Sequence, residues 1–152
     1  MGHMAIASAE VVFESRGMIL VNRFVSTLLR SRLHRILSGS TGLVRYTGRR
    51  SGRTISTPTQ YARHGDDVVI LVARHESKSW WRNFLDERDI EILVQGSWLS
   101  MTARAVIGAD EPDVVVPLLE TYLERFPKAA RVLGEGTTSD RAQRAVVVWC
   151  RP

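Results

Sequence analysis

The sequence predicts one α+β domain built on an antiparallel barrel of five or six strands. A chain of 152 residues, 44% of them hydrophobic, is long enough for a single compact core and too short for two. Beyond residue 39, short apolar runs are separated by glycine-bearing turns, which is the pattern of β-hairpins, and helical segments lie at the start, in the middle and near the end. The sequence lacks the regular alternation of strand and helix that a dinucleotide-binding parallel sheet requires, and it has no G-x-G-x-x-G or Walker motif.

The first 39 residues divide into two predicted parts. Residues 1–4, Met-Gly-His-Met, are typical of a remnant left by cloning and are set aside. Residues 5–39 contain a basic amphipathic helix, because apolar side chains recur at helical spacing over residues 18–37 and Gly39 is a natural stop. We expect its apolar face to cover one end of the sheet. The alternative is peripheral contact of residues 16–37 with an anionic membrane surface.

Residues 40–152 form the predicted barrel domain. The runs LVRYTG and TISTPTQYAR flank a turn at residues 49–53 and are expected to pair as a hairpin. A turn at HGDD leads into the buried strand VVILVA. A second hairpin is predicted from IEILVQ and SWLSMTARAVIG around Gly96, and RAVVVWC supplies the closing strand.

Two helices are predicted within this domain. The run SKSWWRNFLDERD fits a short helix whose apolar side is made of Trp80, Phe84 and, as a further candidate, Trp81. A longer helix is expected from a cap at Asp110 to about Phe126. The segment over residues 134–140 is expected to be loose.

Charge is distributed unevenly along the chain. Residues 15–65 contain ten arginines and no lysine, aspartate or glutamate, although the whole chain has 21 basic and 16 acidic residues. The planar guanidinium group suits bidentate binding of phosphate or carboxylate, so we expect an anionic partner. Nucleic acid is ranked last among such partners, because the arginines are split between a helix and one loop and no helix-turn-helix or RNP aromatic pattern occurs.

Conventional catalytic sets are scarce. No two histidines stand at metal-ligand spacing, so no metal site is expected, and no G-x-S-x-G elbow occurs. Cys150, the only cysteine, lies in an apolar run and is expected in the core. A lone cysteine without a visible signal peptide favours a reducing cytoplasm. If the chain is an enzyme, a bound organic cofactor supplies the chemistry.

The turn GRRSGR is the candidate anion site. Glycine permits a turn in which the backbone N–H groups of Ser51 and Gly52 face a concavity, and Arg49, Arg50 and Arg53 would surround it with positive charge. The strand that follows adds hydroxyl groups to this region. The alternative is an exposed hairpin tip with solubilising arginines, and spacing alone does not decide between the two.

Four motifs in order connect the chain to a known family. The stretch TGRRSGRTISTPTQYARHGDDVVILVA, followed by KSWWRNF, MTARAV and AVVVWCRP, resembles the deazaflavin-dependent nitroreductase family over residues 43–151. The resemblance implies a split β-barrel of the FMN-binding type, with about six strands and flanking helices. It also implies binding of reduced coenzyme F-420, whose tail carries a phosphate and glutamates, and hydride transfer to a quinone, a nitro compound or another electron-poor acceptor.

The same resemblance assigns residues. It implies that the loop residues Arg49, Arg50, Ser51, Gly52 and Arg53 hold the anionic tail. For the ring it implies the pair Thr57 and Pro58, the strand end at Ala73 and Arg74, and the closing helix with Trp80 and Asn83. Lys78, Trp80 and Trp81 are candidates for part of the cofactor pocket, with Lys78 neutralising negative charge; the alternative is a core-facing aromatic helix with a surface lysine. The loop before the tryptophans is shortened here to RHESKS, and Tyr122 is a candidate proton donor that is equally a candidate for packing.

Other readings remain open at this stage. The same fold could bind FMN instead, or act as a non-catalytic binding protein for a lipid or fatty acid at a membrane surface. Short proteins of this barrel class are often homodimers with the site at the subunit interface. We therefore expect a cytoplasmic protein, with peripheral contact at the inner face of the membrane as a variant.

Overall fold

The computed structural model describes residues 40–152, and the helix predicted within residues 5–39 lies outside the described residues. The described part forms a seven-stranded antiparallel sheet in the order β2-β1-β5-β6-β7-β4-β3. The strands are β1 (Thr41–Thr47), β2 (Thr54–Gln60), β3 (Ala62–His64), β4 (Asp67–Leu71), β5 (Arg88–Val94), β6 (Ser97–Ile107) and β7 (Val146–Arg151).

Helices lie before β5 and between β6 and β7. The α-helices are α1 (Pro112–Arg125), α2 (Ala130–Leu133) and α3 (Thr138–Arg144). Single turns of 3-10 helix occupy His75–Ser77, Trp80–Phe84 and Pro127–Ala129. Over the described residues, no helix is both long and apolar enough to cross a membrane.

The sheet is curled, and each of its faces covers an apolar cluster. The inner cluster lies inside the curl and includes Val44, Ile92 and Val148. The outer cluster lies between the other face of the sheet and α1 and α3, and it includes Leu119 and Val147. Neighbouring residues of a strand point to opposite faces, so the apolar run from Val146 to Cys150 in β7 contributes side chains to both clusters.

The predicted α+β barrel is confirmed, with seven strands where about six were expected. The difference arises at Tyr61, where the run predicted as one strand breaks into β2 and β3. The Tyr61 amide donates to the Ser40 carbonyl at 3.3 Å, and the chain then leaves β1 and pairs Ala62 with Val69 of β4.

Three local expectations about the helices are wrong. The run predicted as a helix before β5 forms only the 3-10 turns, because the chain already enters β5 at Arg88. The cap of α1 is Glu111 and not Asp110, and its carboxylate pairs with Arg104 at 2.6 Å instead of capping the helix. The segment expected to be loose contains the start of α3, closed by a capping box between Thr137 and Asp140.

Candidate functional site

The turn between β1 and β2, residues 48–53, is closed on itself and is called the arginine loop below. Gly48 donates its amide to the Arg53 carbonyl at 2.8 Å, and Gly52 donates its own to the Gly48 carbonyl at 2.9 Å. The Arg53 amide donates to the Ser51 hydroxyl at 3.2 Å. Gly52 has φ of 65°, a conformation that glycine adopts without the steric penalty of a side chain. The loop is therefore preformed in the protein.

The amides that remain for a ligand differ from those predicted. Gly52 was expected to present its N–H to a ligand together with Ser51, but that N–H is used within the loop. The amides of Arg50 and Ser51 have no hydrogen-bond acceptor within residues 40–152. Arg49, Arg50 and Arg53 are exposed. The arginine loop thus combines two adjacent amides with three guanidinium groups at the surface.

Asn83 joins the arginine loop to the 3-10 helix Trp80–Phe84, called the Trp80 helix below. Its side-chain oxygen Oδ1 accepts from the Arg49 amide at 2.7 Å, and its Nδ2 donates to the Trp80 carbonyl at 2.7 Å. The two segments are 34 positions apart in sequence, and this residue brings them together.

Three aromatic rings pack where β1 meets the Trp80 helix. Tyr46 lies with its ring centroid 5.2 Å from that of Phe84 and 6.4 Å from that of Trp80, and Trp80 lies 6.2 Å from Phe84. Tyr46 and Phe84 are buried, whereas Trp80 is half-buried and packs against the edge of the inner cluster. Trp80 is thus partly exposed, and its carbonyl is bonded to Asn83, the residue that also bonds the arginine loop.

The shortened loop at residues 74–79 is wound around Trp81. The indole Nε1 of Trp81 donates to the carbonyls of His75 and Lys78 at 3.0 and 2.9 Å. Trp81, the further candidate for the apolar side of this helix, is buried, whereas Trp80 is only half-buried. Arg74 opens the loop with φ of 53°, a left-handed conformation that is rare away from glycine, and its carbonyl accepts from the Ser77 amide and hydroxyl.

The pair predicted to face the cofactor ring is separated by the pleat of β2. Thr57 pairs with Val44, whose side chain belongs to the inner cluster, and Pro58 pairs with Leu43. Adjacent residues of a strand point to opposite faces. Thr57 consequently lies on the inner face of the sheet, and the exposed Pro58 lies on the other face.

The other predicted site residues lie at the surface of the loop after β4. Ala73, predicted at a strand end, is half-buried and lies two residues after β4 ends at Leu71, and Arg74 and Lys78 are exposed. They approach the Trp80 helix through the hydrogen bonds of Trp81. Tyr46, which packs against Trp80 and Phe84, was not predicted as a site residue. Trp81 was predicted together with Lys78 and Trp80 as part of the cofactor pocket, and its ring is buried, whereas Trp80 is half-buried.

Tyr122, the candidate proton donor, is not brought together with these residues. It lies on α1 in the outer cluster, 3% exposed, with its ring centroid 4.9 Å from that of Phe126. Burial raises the pKa of Tyr122 to about 12. Its surroundings are those of a packing residue.

The remaining candidates for reactive chemistry are the Cys150 thiol and a cluster of metal ligands. Burial raises the pKa of Cys150 to about 12, and the thiol is in the inner cluster, as the sequence predicted. Among residues 40–152, no three His, Cys, Asp or Glu side chains lie close enough together to hold a metal ion.

The fold is shared with solved structures of low sequence identity. One described as a domain-swapped dimer has a TM-score of 0.54 and 15% identity, and the match covers 83% of this chain and 98% of that one. The structure of an F420-H2 dependent reductase, FDR-A, has a TM-score of 0.52 and 14% identity over 74% of this chain and 94% of that one. Atu2129 from Agrobacterium tumefaciens, of unknown function, has a TM-score of 0.52 and 21% identity, covering 74% of this chain and 47% of that one. These likenesses establish the split-barrel fold.

The fold and the site define a split-barrel protein whose first hairpin ends in a hydrogen-bonded loop with three exposed arginines. No curated protein matches the sequence significantly. Residues 25–125 match the model of the F420H(2)-dependent quinone reductases, which is well over half of the chain. The chain belongs to this family and is therefore an oxidoreductase that depends on reduced F420.

Proposed function

We propose that the chain transfers a hydride from reduced F420 to a quinone, and that the arginine loop holds the anionic tail of the cofactor. The observation that carries the proposal is the loop itself, which is closed by its own hydrogen bonds and exposes three arginines beside the two amides of Arg50 and Ser51. Oxygen anions accept strong hydrogen bonds from such donors. Family membership supplies the identity of the cofactor.

The residues around the loop fit the remainder of the cofactor. Trp80 offers a half-buried aromatic face next to the arginine loop, and Thr57 adds a hydroxyl on the inner face of β2. Ala73 and Arg74 follow β4 and lead into the loop at residues 74–79, and Lys78 adds an exposed positive charge. When bound, reduced F420 supplies the hydride; these residues orient the ring and shield it from water.

Removing two arginines tests the role of the loop. The double variant Arg49→Ala/Arg50→Ala is expected to raise the Kd for F420 on the order of 100-fold, because hydrogen bonds to charged groups contribute the most to such contacts. The Kd is measured by fluorescence titration at two salt concentrations, and the wild-type Kd is expected to rise with salt more steeply than that of the variant.

Lys128→Ala/Arg131→Ala is the matched control, since it removes the same charge from exposed positions in and before α2. It should leave the Kd within about twofold of wild type. Equal F420 affinity in wild type and the Arg49/Arg50 variant would refute the tail-binding role. A parallel titration with FMN tests the alternative cofactor, and tighter binding of FMN would favour it.

The acceptor is proposed to be a quinone, with a nitro compound as the second candidate. Reduced F420 is mixed with the protein and either menadione or a nitroaromatic, and oxidation of the cofactor is followed by its absorbance. Faster oxidation with the quinone supports the proposal, whereas turnover with the nitro compound alone contradicts it.

Two assembly features belong to the same proposal. A homodimer is supported by the neighbour described as a domain-swapped dimer and by the edge position of β2 in the described sheet; light scattering of the purified protein tests it. Contact of residues 16–37 with the inner face of the cytoplasmic membrane would place the enzyme beside quinones. Co-sedimentation with anionic vesicles, with and without the first 39 residues, tests that contact.

A further inference from the structure

We propose that Asn83 is a positioning residue, which holds the arginine loop in place relative to the Trp80 helix, and that its effect on the cofactor is exerted through the loop. The inference rests on the proposed function of that loop. It replaces the direct cofactor contact that the sequence suggested for Asn83.

The hydrogen bonds of Asn83 are directed to the protein backbone at both ends of its amide. Oδ1 accepts from the Arg49 amide and Nδ2 donates to the Trp80 carbonyl, each at 2.7 Å. A side-chain amide is suited to this joint because it carries an acceptor and a donor on one short, planar group. Aspartate would keep only the acceptor, and leucine would keep neither.

The hydrogen bond from the Arg49 amide to Asn83 lies where it can fix the position of the arginine loop. Arg49 is the first arginine of the loop, and its backbone is held by Asn83 while Gly48 and Arg53 close the loop behind it. Ring contacts of Tyr46 with Trp80 and Phe84 pack β1, which leads into the arginine loop, against the Trp80 helix. Apolar ring contacts tolerate sliding, whereas a hydrogen bond has a narrow range of length and angle. Asn83 therefore sets where the two arginine-loop amides and guanidinium groups stand relative to Trp80.

A direct contact and a positioning role predict different binding results. In a positioning role, Asn83→Ala raises the Kd for F420 about tenfold and leaves the Kd for the tail-free deazaflavin chromophore unchanged, because only the tail meets the arginine loop. A direct contact with the ring raises both Kd values. Equal weakening of both ligands would overturn the inference.

A double-mutant cycle adds a second criterion. In the Arg49→Ala/Arg50→Ala background, the loop no longer grips the tail, so Asn83→Ala is expected to change the Kd for F420 by less than about twofold. A full tenfold effect in that background would show that Asn83 acts independently of the loop.

Thr137→Ala is the control for loss of stability alone. It removes a side-chain bond to the backbone amide of Asp140 at the cap of α3, which belongs to another part of the fold. It should lower the melting temperature and leave the Kd for F420 unchanged. If this variant weakens F420 binding as much as Asn83→Ala, general destabilisation explains both effects and the inference fails.

Hydrogen exchange without any cofactor separates this inference from the proposed function. In wild type the Arg49 amide is expected to exchange at least about tenfold more slowly than in Asn83→Ala, because the Oδ1 acceptor is lost. If the wild-type protein bound no F420, the proposed function would be refuted. The exchange rate of the Arg49 amide would still show whether Asn83 holds the arginine loop in place. Identical exchange in both proteins would overturn the inference.

Discussion

At the residue scale, side chains that hydrogen-bond to the backbone hold the loops around the candidate site. Asn83 ties the arginine loop to the Trp80 helix, and the indole of Trp81 gathers two carbonyls of the loop at residues 74–79. The residues joined by these bonds are 34, 6 and 3 positions apart, so the bonds follow no repeating sequence pattern. Side-chain chemistry alone therefore indicates what these residues can bind, and the fold decides what they do bind.

Cys150 provides a test at this scale, because it is the only thiol in the chain. Its side chain is buried in the inner cluster, and burial raises the pKa to about 12, so the reactive thiolate is scarce at ordinary pH. We expect no reaction with a disulfide reagent at pH 8 in the native protein and one equivalent after unfolding in urea. Rapid reaction of the native protein would contradict the buried position.

The residue scale also sets the limit of prediction from sequence. The arginines of the loop and their charge were visible as a cluster without acidic neighbours. The sequence does not show that the Gly52 amide is used within the loop, because that depends on how the Gly48 carbonyl is oriented once the turn has formed. The separation of Thr57 from Pro58 follows from strand alternation once β2 is known.

At the scale of elements, hairpins were predictable and irregular segments were not. Glycine turns between apolar runs identify the β1–β2 and β5–β6 pairs from local pattern alone. The break at Tyr61 and the 3-10 turns before β5 are imposed by tertiary contacts, so local propensity does not report them. The capping box at the start of α3 is present in the sequence as Thr-x-x-Asp, but Gly134 and Gly136 just before it favour a loop in the local pattern.

Among the glycines of residues 40–152, Gly108 lies closest to another element. It follows β6, and a Cβ built there would lie 1.6 Å from the Ala142 carbonyl oxygen of α3. Its amide also donates to the Ala145 carbonyl at 2.9 Å. Gly108→Ala must push α3 away from the sheet, and we expect it to lower the free energy of unfolding by about 3 kcal/mol.

Urea denaturation measures this effect. The midpoint should fall while the slope with denaturant stays the same, since the surface exposed on unfolding is unchanged. A variant as stable as wild type would show that α3 can shift without loss.

At the scale of the whole molecule, binding and stability are linked. A ligand that binds only the folded state stabilises it by about 2.7 kcal/mol at a concentration of 100 times Kd. We therefore expect saturating F420 to raise the melting temperature by several degrees in wild type and much less in Arg49→Ala/Arg50→Ala. Differential scanning fluorimetry measures both, and a larger shift with FMN than with F420 would contradict the cofactor assignment.

The overall class was predictable, whereas the strand order was not. The balance of hairpins and helices indicates an α+β barrel, and the motif order indicated the family. The position of β7 between β6 and β4 leaves no mark in the sequence, because its partners are chosen by burial on both faces. Such long-range pairings are the part of a fold that local patterns cannot specify.

The placement of β7 also determines when the described sheet can be completed during synthesis. β4 and β6 each present one edge to β7, and Val68 pairs with Cys150 across most of the described chain. A growing chain on the ribosome can form the β1–β2 and β5–β6 hairpins early, but it holds two open edges until residues 146–151 have emerged. The nascent protein thus passes through a stage in which two unpaired strand edges are exposed, and covering them, for example by a chaperone, favours folding over aggregation.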